Sequence, residues 1–571
     1  MNKTLLGLVL ATLTFAIVAA PTALGADDKK DKLLEVQILA FNDFHGNIKP
    51  PAGGNGEIRL SNTPIGFDSN TPPRPIYPVA KAGGSEYFAT HVKNLEATNP
   101  NSFLVSAGDM IGASPLISAL FHDEPTIESM NAIGLDMIGV GNHEFDEGKE
   151  ELLRIQNGGC HPVDGCQDGT PFYGSVFQYL AANVIDDSTG NPLLPAYEIK
   201  NVKGTKIAFI GETLEGTPKI VTPAGVQGLT FLDEADTVNM LIPRLKQMQV
   251  EAIVLLLHEG GFQTGQWLYN DCNGLRGSII DIVNRLDDEV DVVVSAHTHQ
   301  PYNCSGSRKI DGKIVTSASS FGRIITDIDL TIDRRTDDVV DAEVVNRIVT
   351  RDVAADPAQT ALIAHYDAIA GPIENRVIGT ATADLTTTPN TAGESSLGDV
   401  IADAQLAATA RTDFGGSKVA FMNPGGIRAP IAAGDVTYGE LFTTQPFGNT
   451  LVVKTCTGAQ IEALLEQQFV VGRILQVSNS LRYTYNGAAG VVDRVDPASI
   501  KIDGATVDPA AAYRITMNSF LSDGGDGFTV FRACTNQLGG EVDVDALVRY
   551  FDENSPPGVS PGPQNRITRI P

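Results

Sequence analysis

Short apolar runs alternate with amphipathic stretches along the first 345 residues of the chain. The apolar runs predict buried strands, and they lie at residues 34–41, 103–106, 137–140, 207–210, 252–257, 290–295, 314–318 and 324–332. The segments at 84–97, 125–133, 235–248 and 279–286 have the apolar spacing of helices. Because strand and helix alternate, we predict a layered α/β domain.

Polar side chains that can bind metal follow the ends of five predicted strands. They are Asp43 and His45, Asp109, Asn142 and His143, His258, and His297 and His299. Five of the nine histidines in the chain occupy these positions, and a scatter of unrelated core histidines would not sort in that way. Open α/β folds build their sites at this edge of the sheet, so we expect one shared site.

The chemistry of these side chains points to a pair of metal ions. They offer nitrogen and oxygen ligands without sulfur, which favours Zn²⁺, Mn²⁺, Fe or Co²⁺ over Ca²⁺. Two divalent ions that share one carboxylate acidify a water and neutralise phosphoryl oxygens, and phosphate-ester hydrolysis needs both effects. Asp146 follows His143 by three residues and is near enough to orient its imidazole.

The character of the sequence changes near residue 345. Residues 351–369 contain Ala, Leu and His but no glycine, which predicts a connecting helix that Gly371 and Pro372 end. A helix between two domains is a semi-rigid connector, and its end is a natural hinge. We therefore predict a signal peptide at 1–25, a first domain at 33–345, a linker helix at 346–375 and a second domain at 376–571.

The second half contains glycine-rich loops that carry aromatic and charged side chains. Phe447 and Phe520 lie in such loops, and two rings can stack on a nucleobase for about 1–3 kcal/mol per base. The alternative is that both rings belong to the core. Asp526 can accept hydrogen bonds from ribose hydroxyls, Arg428 can bind phosphate through two bonds, and Asn423 can meet the base edge.

The order of these motifs resembles that of a known family. Asp-Phe-His at 43–45, Gly-Asp at 108–109, Gly-Asn-His-Glu at 141–144 and His-Thr-His at 297–299 resemble the calcineurin-like metallophosphatases. The segments 423–428, 446–448 and 520–528 resemble the nucleoside pocket of the 5'-nucleotidase C-terminal domain. The chain is thus similar to the secreted 5'-nucleotidases over nearly its whole length. This resemblance implies a four-layer α/β/β/α metallophosphatase sandwich, joined by the linker helix to a C-terminal α/β substrate-binding domain that rotates.

The resemblance also implies a role for each candidate residue. Asp43, His45 and His299 would hold one ion, and Asn142, His258 and His297 would hold the other, with Asp109 as the bridge. His143 would face the phosphoryl group or the leaving oxygen, with Asp146 positioning it. Two departures from the family pattern, Gly393 and Pro424, leave the exact substrate open.

The expected activity is removal of phosphate from nucleoside 5'-monophosphates, and also from di- or triphosphates, by attack of a metal-bound hydroxide. Other enzymes on the same scaffold remain alternatives, namely a nucleotide-sugar or dinucleotide pyrophosphatase, a 2',3'-cyclic phosphodiesterase or an extracellular nuclease. A non-enzymatic nucleotide-binding protein would need a broken metal site. All seven ligand positions are intact, which argues against that alternative.

Composition limits the cellular compartments and the binding partners that we expect for this protein. A formal net charge of −28 repels nucleic acid, so we expect a small-molecule nucleotide substrate and no stable nucleic-acid complex. The signal peptide and the lack of a hydrophobic C-terminal tail predict export without a membrane anchor, to a periplasm, a cell wall or the medium. Six cysteines fit that compartment, and sequence neighbourhood favours the pairs 160–166, 272–304 and 456–534 among 15 pairings. The sequence does not indicate an oligomeric state.

Overall fold

The first part of the chain forms two sheets that pack face to face. The computed structural model describes residues 32–67, 75–221, 225–491 and 493–570, so the predicted signal peptide at 1–25 lies outside it. The first sheet has six strands, in the spatial order Asp338–Ile348, Ile324–Asp333, Leu33–Phe41, Ser102–Ser106, Met137–Gly139 and Gln178–Leu180. The four strands from Leu33–Phe41 onward run parallel to one another.

The second sheet also has six strands, and its centre is parallel. In spatial order the strands are Tyr197–Val202, Thr205–Thr213, Ala252–His258, Val292–Ser295, Ile314–Ala318 and Pro301–Cys304. Ala252–His258 is buried along its whole length. Val254 and Leu256 pack between the sheets, whereas Ile253 and Leu255 pack under helices on the outer face. Burial on both faces explains why this strand is a continuous apolar run rather than an alternating one.

Helices cover the outer faces of both sheets. Ser85–Glu96, Glu124–Ile133 and Lys149–Asn157 pack on the first sheet through one apolar core. Glu234–Gln247 and Ser278–Arg285 pack on the second sheet through another. A third core lies between the two sheets. The predicted order of layers, helix, sheet, sheet and helix, is therefore confirmed.

The second part of the chain is a smaller α/β domain. Its five-stranded sheet has the order Gln476–Val477, Val419–Met422, Ala512–Asn518, Thr450–Thr457 and Thr535–Val542. The helices around it are Ser396–Thr409, Tyr438–Thr444, Gly458–Val471 and Asp543–Glu553. A four-stranded sheet lies beside it, in the order Ala505–Thr506, Lys501–Ile502, Leu481–Asn486 and Ile567–Ile570. Thr457 and Gln460 form a reciprocal capping box that fixes the start of one helix.

The linker helix, Pro357–Glu374, packs on the first domain. Tyr366 is buried in the core under the first sheet and donates a 2.9 Å hydrogen bond to Glu128. The prediction that Gly371 and Pro372 end this helix is wrong by about one turn. Pro372 lies in the last turn, where the missing N–H removes one intrahelical hydrogen bond and the proline φ still suits a helix.

All three predicted cysteine pairs are joined as disulfides, namely Cys160–Cys166, Cys272–Cys304 and Cys456–Cys534. Within the described residues, no helix combines the length and the apolar character that crossing a bilayer requires.

His122 contacts the loop that carries Cys160 and Cys166. The imidazole of His122 lies between two carboxylates, with Nδ1 2.7 Å from Glu147 Oε2 and Nε2 3.0 Å from Asp164 Oδ2. Its ring stacks on His161, with centroids 3.7 Å apart. The hydrogen bond to Glu147 raises the pKa of His122 to about 9, although burial opposes the shift.

We predict that His122 stabilises the fold only while it is protonated. Its pKa is raised above the unfolded value, so the contribution is complete below about pH 6.5 and disappears as pH rises through about 9. His122→Gln should therefore lower the free energy of unfolding by about 1–2 kcal/mol at pH 6, a value discounted because both carboxylates are half-exposed. Chemical denaturation at pH 6, 8 and 10 measures this. An equal loss at pH 6 and pH 10 would contradict it.

Candidate metal centre and substrate pocket

The seven predicted ligand residues lie together at one edge of the paired sheets. Five of them adopt left-handed backbone conformations, namely Asp43, His45, Asp109, His297 and His299, with φ between 48° and 68°. A non-glycine residue at positive φ costs of order 1–3 kcal/mol, and such strain concentrates at functional sites. The loops after three different strands therefore share one unusual geometry that turns polar side chains towards a common point.

One group of these side chains contains Asp43, His45 and His299. The distance from His299 Nε2 to Asp43 Oδ1 is 3.3 Å, and the distance from His45 Nε2 to His299 Nε2 is 3.1 Å. Asp43 and His45 are buried, and His299 is partly exposed. Two imidazole nitrogens and a carboxylate oxygen thus face one another in the way that ligands of one ion do.

A second group contains Asp109, Asn142, His258 and His297. His258 Nε2 lies 3.0 Å from Asp109 Oδ2, and His297 Nδ1 lies 3.0 Å from Asn142 Oδ1. Asp109 Oδ2 is also 3.6 Å from His45 Nε2 in the first group. The Asp109 carboxylate therefore lies between the two groups, in the position of a bridge.

Backbone carbonyls orient the histidines of both groups. His258 Nδ1 is 2.8 Å from the Ala107 carbonyl, and His45 Nδ1 is 2.8 Å from the Gly112 carbonyl. When each Nδ1–H donates to its carbonyl, each Nε2 presents a lone pair to the centre, which is the arrangement of metal-binding histidines. Local loop geometry thus selects the tautomer that an ion requires.

The residues present fit divalent metal ions. His258 Nε2 is buried, lies 3.0 Å from Asp109 Oδ2 without the geometry of a hydrogen bond, and can present a lone pair to an ion once the ring is neutral. Burial lowers the pKa of His258, but the negative charge of Asp109 outweighs burial and raises it to about 10. The carboxylates thus draw positive charge into the pocket, and the donor set of nitrogen and oxygen suits Zn²⁺, Mn²⁺, Fe or Co²⁺.

Glu144 is a part of this site to which the sequence analysis assigned no role. Its buried carboxylate accepts hydrogen bonds from the backbone N–H groups of Asp109 at 3.0 Å, Met110 at 2.8 Å and Gly141 at 2.5 Å. Burial, followed by the charge of Asp109, raises the pKa of Glu144 to about 7. This side chain ties the Asp109 loop to the loop after the neighbouring strand. Its place in the Gly-Asn-His-Glu motif was the available signal.

Glycines allow the same two loops to approach each other. A Cβ on Gly108, whose φ is +94°, would lie 2.5 Å from the Gly141 nitrogen. A Cβ on Gly141 would lie 2.2 Å from Asp109 Oδ1. A larger residue at Gly141 would push the Asp109 carboxylate away, and a larger residue at Gly108 would separate the two loops and displace the His258 ring.

His143 lies beside the cluster and faces the second domain. Its Nδ1 is 2.7 Å from Asp146 Oδ2, as its sequence spacing predicted, and its backbone N–H donates to Asp109 Oδ1 at 2.9 Å. Burial lowers the pKa of His143, but the charges of Asp146 and Asp109 outweigh burial and raise it overall. The ring stacks parallel to Phe447, with centroids 5.5 Å apart and planes within 12°.

A cavity between the two domains brings together His143, Asn142 and His297 with all five predicted substrate-binding residues. These five are Asn423, Arg428, Phe447, Phe520 and Asp526. Asp526 Oδ2 accepts a 3.0 Å hydrogen bond from the Asn423 amide. The Arg428 guanidinium lies 5.7 Å from the Phe447 ring centroid and has no ion-pair partner in the described part of the chain.

The same cavity contains polar residues that sequence reasoning missed. Asn449, Arg473 and Asn518 line it, and Asn518 donates a 3.0 Å hydrogen bond to Asn423 Oδ1. Arg473 Nε lies 3.7 Å from Asp526 Oδ1. Gly393 has a φ of +93°, and a side chain there would meet Ile474. Arg473 therefore supplies positive charge to the pocket from a segment in which no sequence motif predicted a site residue.

Comparisons with known proteins agree with this architecture. The family model for calcineurin-like phosphoesterases matches residues 36–301, and that for the 5'-nucleotidase C-terminal domain matches residues 377–533. The Listeria monocytogenes cell wall protein Lmo0130 is 30% identical over 98% of this chain and 72% of its own. The chain belongs to the 5'-nucleotidase family of calcineurin-like phosphoesterases.

Two other similar proteins show how far the likeness extends. Endonuclease YhcR of Bacillus subtilis is 36% identical over 91% of this chain, which spans only 40% of the endonuclease. The crystal structure of a 5'-nucleotidase precursor from Thermus thermophilus superposes with a TM-score of 0.75 at 25% identity. That superposition covers 94% of this chain and 99% of the other, so the two share the arrangement of both domains.

We predict that metal content separates ligands from the neighbouring histidine. Asp109→Ala should lower the divalent metal bound by purified protein from about two ions to fewer than one per chain, because both groups lose an oxygen. His143→Ala should keep both ions but lose turnover of a phosphate ester by about 10²–10⁴-fold. Elemental analysis and initial rates measure the two effects. Asp288→Ala, which removes a fully exposed carboxylate outside the cluster, is the control. Metal loss in His143→Ala, or full occupancy in Asp109→Ala, would contradict the assignment.

Proposed function

We propose that the chain hydrolyses the phosphate ester of nucleoside 5'-monophosphates. The observation that carries this proposal is the shared cavity, which is lined by Asn142 and His297 from the ligand cluster and by the rings of Phe447 and Phe520. His143 links the two parts, since it contacts Asp109 through its backbone and Phe447 through its ring. A metal centre alone would suit any phosphate ester, whereas the aromatic pocket selects a nucleoside.

The ligand cluster would hold two divalent ions. Asp43, His45 and His299 are assigned to one ion, and Asn142, His258 and His297 to the other, with Asp109 between them. Two such ions supply an acidic water and neutralise charge on the phosphoryl oxygens. The buried Glu144 keeps Asp109 in place through three backbone hydrogen bonds.

His143 would donate a proton to the leaving 5'-oxygen. The Asp146 carboxylate accepts a hydrogen bond from His143 Nδ1–H, and its negative charge favours protonation of Nε2. A protonated imidazole beside the cavity can neutralise charge that develops on the leaving oxygen. Asp146 acts through His143 as a positioning residue.

The second domain would hold the nucleotide. The Arg428 guanidinium, which has no ion-pair partner among the described residues, can bind a phosphate oxygen pair, and Phe447 and Phe520 can stack on the base. Asp526 and Asn423 already share a hydrogen bond and present further polar atoms to ribose and base. Arg473 lies next to Asp526 and adds positive charge at the ribose end.

We propose that the domains separate to admit substrate, because the cavity between them is small for a nucleotide. The space is about 130 Å³, whereas ligand pockets are typically about 300–1,000 Å³. Rotation at the linker helix would open it, and closure would then bring Arg428 and Phe447 against His143. We also propose that the protein is exported, because its six cysteines form three disulfides, which persist in oxidising compartments.

We predict a metal-dependent preference for AMP over p-nitrophenyl phosphate. Metal-stripped protein should be inactive, and Mn²⁺, Zn²⁺ or Co²⁺ should restore a kcat/KM for AMP at least about tenfold above that for p-nitrophenyl phosphate, since stacking contributes about 1–3 kcal/mol. Phe520→Leu should remove most of that preference. Phe414→Leu, at an exposed phenylalanine outside the cavity, is the matched control. Phosphate release measures all rates. Equal rates on both esters in the unmodified protein would count against the nucleoside pocket, and absence of metal dependence would count against the centre.

A further inference from the structure

The Asp146 carboxylate, which orients His143, has a single bonding partner. It contacts His143 Nδ1 at 2.7 Å, and no second hydrogen bond or ion pair holds it in the described part of the chain. Proton donation to a leaving oxygen depends on the geometry of the donor, so the backbone that carries Asp146 must itself be held. Two consecutive residues outside the metal centre, His122 and Asp123, contact the segments around it.

His122 holds the segment that follows Asp146. Its Nδ1 lies 2.7 Å from Glu147 Oε2, and Glu147 is the next residue after Asp146. The Glu147 side chain is half-exposed and has no other hydrogen bond or ion pair within the described residues. Without His122, the Glu147 side chain would therefore be free to turn, and the backbone at Asp146 would lose this attachment.

Asp123 holds a second segment beside the same pair. Its Oδ2 accepts a 3.0 Å hydrogen bond from the Gly112 N–H. Gly112 packs directly on the pair, because a Cβ there would lie 2.8 Å from His143 Cβ and 2.9 Å from Asp146 Oδ2. Two consecutive residues thus bind the segment that carries Asp146 and the segment that contacts it.

His122 and Asp123 both adopt strained backbone conformations. Their φ values are 50° and 61°, in the left-handed region that residues other than glycine seldom enter. Such strain persists only where the surroundings hold it, and it concentrates at functional sites. Here the strained backbone lets two adjacent side chains reach two different segments.

The disulfide loop 160–166 fixes the other side of the His122 ring. Asp164 Oδ2 lies 3.0 Å from His122 Nε2, and the His161 ring stacks on the imidazole with centroids 3.7 Å apart. The loop is itself constrained, since the Asp164 N–H donates to His161 Nδ1 at 3.2 Å and the Cys160–Cys166 disulfide closes it. His122 is therefore held at both ring nitrogens and on one face.

The same cluster is poorly arranged for a metal ion. A histidine nitrogen offers its lone pair in the plane of the ring. The rings of His122 and His161 are stacked with their planes 19° apart, so one ion cannot lie in both planes. Both nitrogens of His122 face carboxylates, which suits a protonated ring, and the hydrogen bond to Glu147 raises its pKa to about 9. These contacts suit a charged donor that joins two loops.

We propose that His122 is a positioning residue for the proton donor His143. It acts through Glu147 on the backbone of Asp146, and the disulfide loop 160–166 keeps its ring in place. The inference rests on the proposed function, because it takes His143 as the group that donates a proton to the leaving oxygen. His122 touches neither the metal ligands nor the substrate pocket, so loss of its side chain should leave metal binding and KM unchanged.

Two phosphate esters without a nucleoside test this role. Phenyl phosphate has a poorer leaving group than p-nitrophenyl phosphate, so its hydrolysis depends more on proton donation by His143. In metal-reconstituted His122→Gln, the ratio of kcat for phenyl phosphate to kcat for p-nitrophenyl phosphate should fall about tenfold, because the donor is misplaced. An unchanged ratio would overturn the proposal. An equal loss on both esters, or loss of metal, would overturn it too, since either means general damage to the centre.

His91→Gln is the matched control. His91 is a partly buried histidine on the helix Ser85–Glu96, with Nε2 3.0 Å from the Thr350 carbonyl and no contact with the His143–Asp146 pair. Its ratio should equal that of the unmodified protein, and a fall as large as in His122→Gln would contradict the proposal. Glu147→Gln, which removes the partner charge, should lower the ratio in the same direction and replaces His122→Gln if that variant does not fold.

A double-mutant cycle shows whether His122 acts through Asp146. Asp146→Asn should lower the ratio by itself, and adding His122→Gln should then lower it by less than about twofold. Losses that multiply independently would refute the proposed route. Cys160→Ser combined with Cys166→Ser should lower the ratio by less than His122→Gln does, and an unchanged ratio would refute the role of the loop.

The two proposals fail in different ways. If the unmodified protein hydrolyses both aryl esters but not AMP, the nucleotide assignment fails, and the ratio of the two esters still tests His122. If it hydrolyses AMP and the ratio is unchanged in both His122→Gln and Glu147→Gln, the proposed function stands and the positioning role is wrong.

Discussion

Two carboxylates buried at the same sheet edge, Asp43 and Asp109, can share that position only if positive charge lies between them. Burial raises the pKa of both groups, and the charge of Asp109 raises that of Asp43 further, but the neighbouring histidines outweigh these effects and lower both pKa values. The Nε2 atoms of His45 and His258 face the carboxylates, and their Nδ1 atoms are held by backbone carbonyls. Divalent ions satisfy this arrangement better than protons, because one ion meets several ligand atoms at once.

The fold supplies this constraint through parallel strands and strained loops. Strands that run parallel end at the same edge, so loops distant in sequence deliver their first polar residues to one place. Five of those residues adopt left-handed φ, and Glu144 ties two of the loops together. The strain is local, and the three apolar cores around the paired sheets support it.

Charge also explains how the second domain completes the site. Arg428 faces the acidic cluster without an ion-pair partner among the described residues, and His143 stacks on Phe447 across the boundary. A phosphate bound between Arg428 and the metal centre would contact the guanidinium of the second domain and the ions of the first domain at the same time. We therefore expect domain closure and substrate binding to be coupled, because the substrate phosphate compensates the positive charges that closure brings together.

The sequence was most informative where chemistry follows local pattern. The apolar runs predicted the layered fold, because they set the positions and the parallel order of the strands. The polar residues at the strand ends and in the glycine-rich loops predicted the residues that surround one cavity. The sequence was least informative where contacts depend on distant segments. Arg473, for example, reaches Asp526 from a different segment of the second domain. The linker helix continued past Gly371 because packing on the first domain outweighed a weak local stop signal.

A crystal structure of the mature protein grown with Mn²⁺ and α,β-methylene-ADP would show whether Asp109 lies between two ions beside a nucleoside pocket. We expect anomalous density for two ions, both in contact with Asp109, and an adenine ring between Phe447 and Phe520. A single ion remote from Asp109, or a nucleotide bound outside the cavity between the domains, would contradict it.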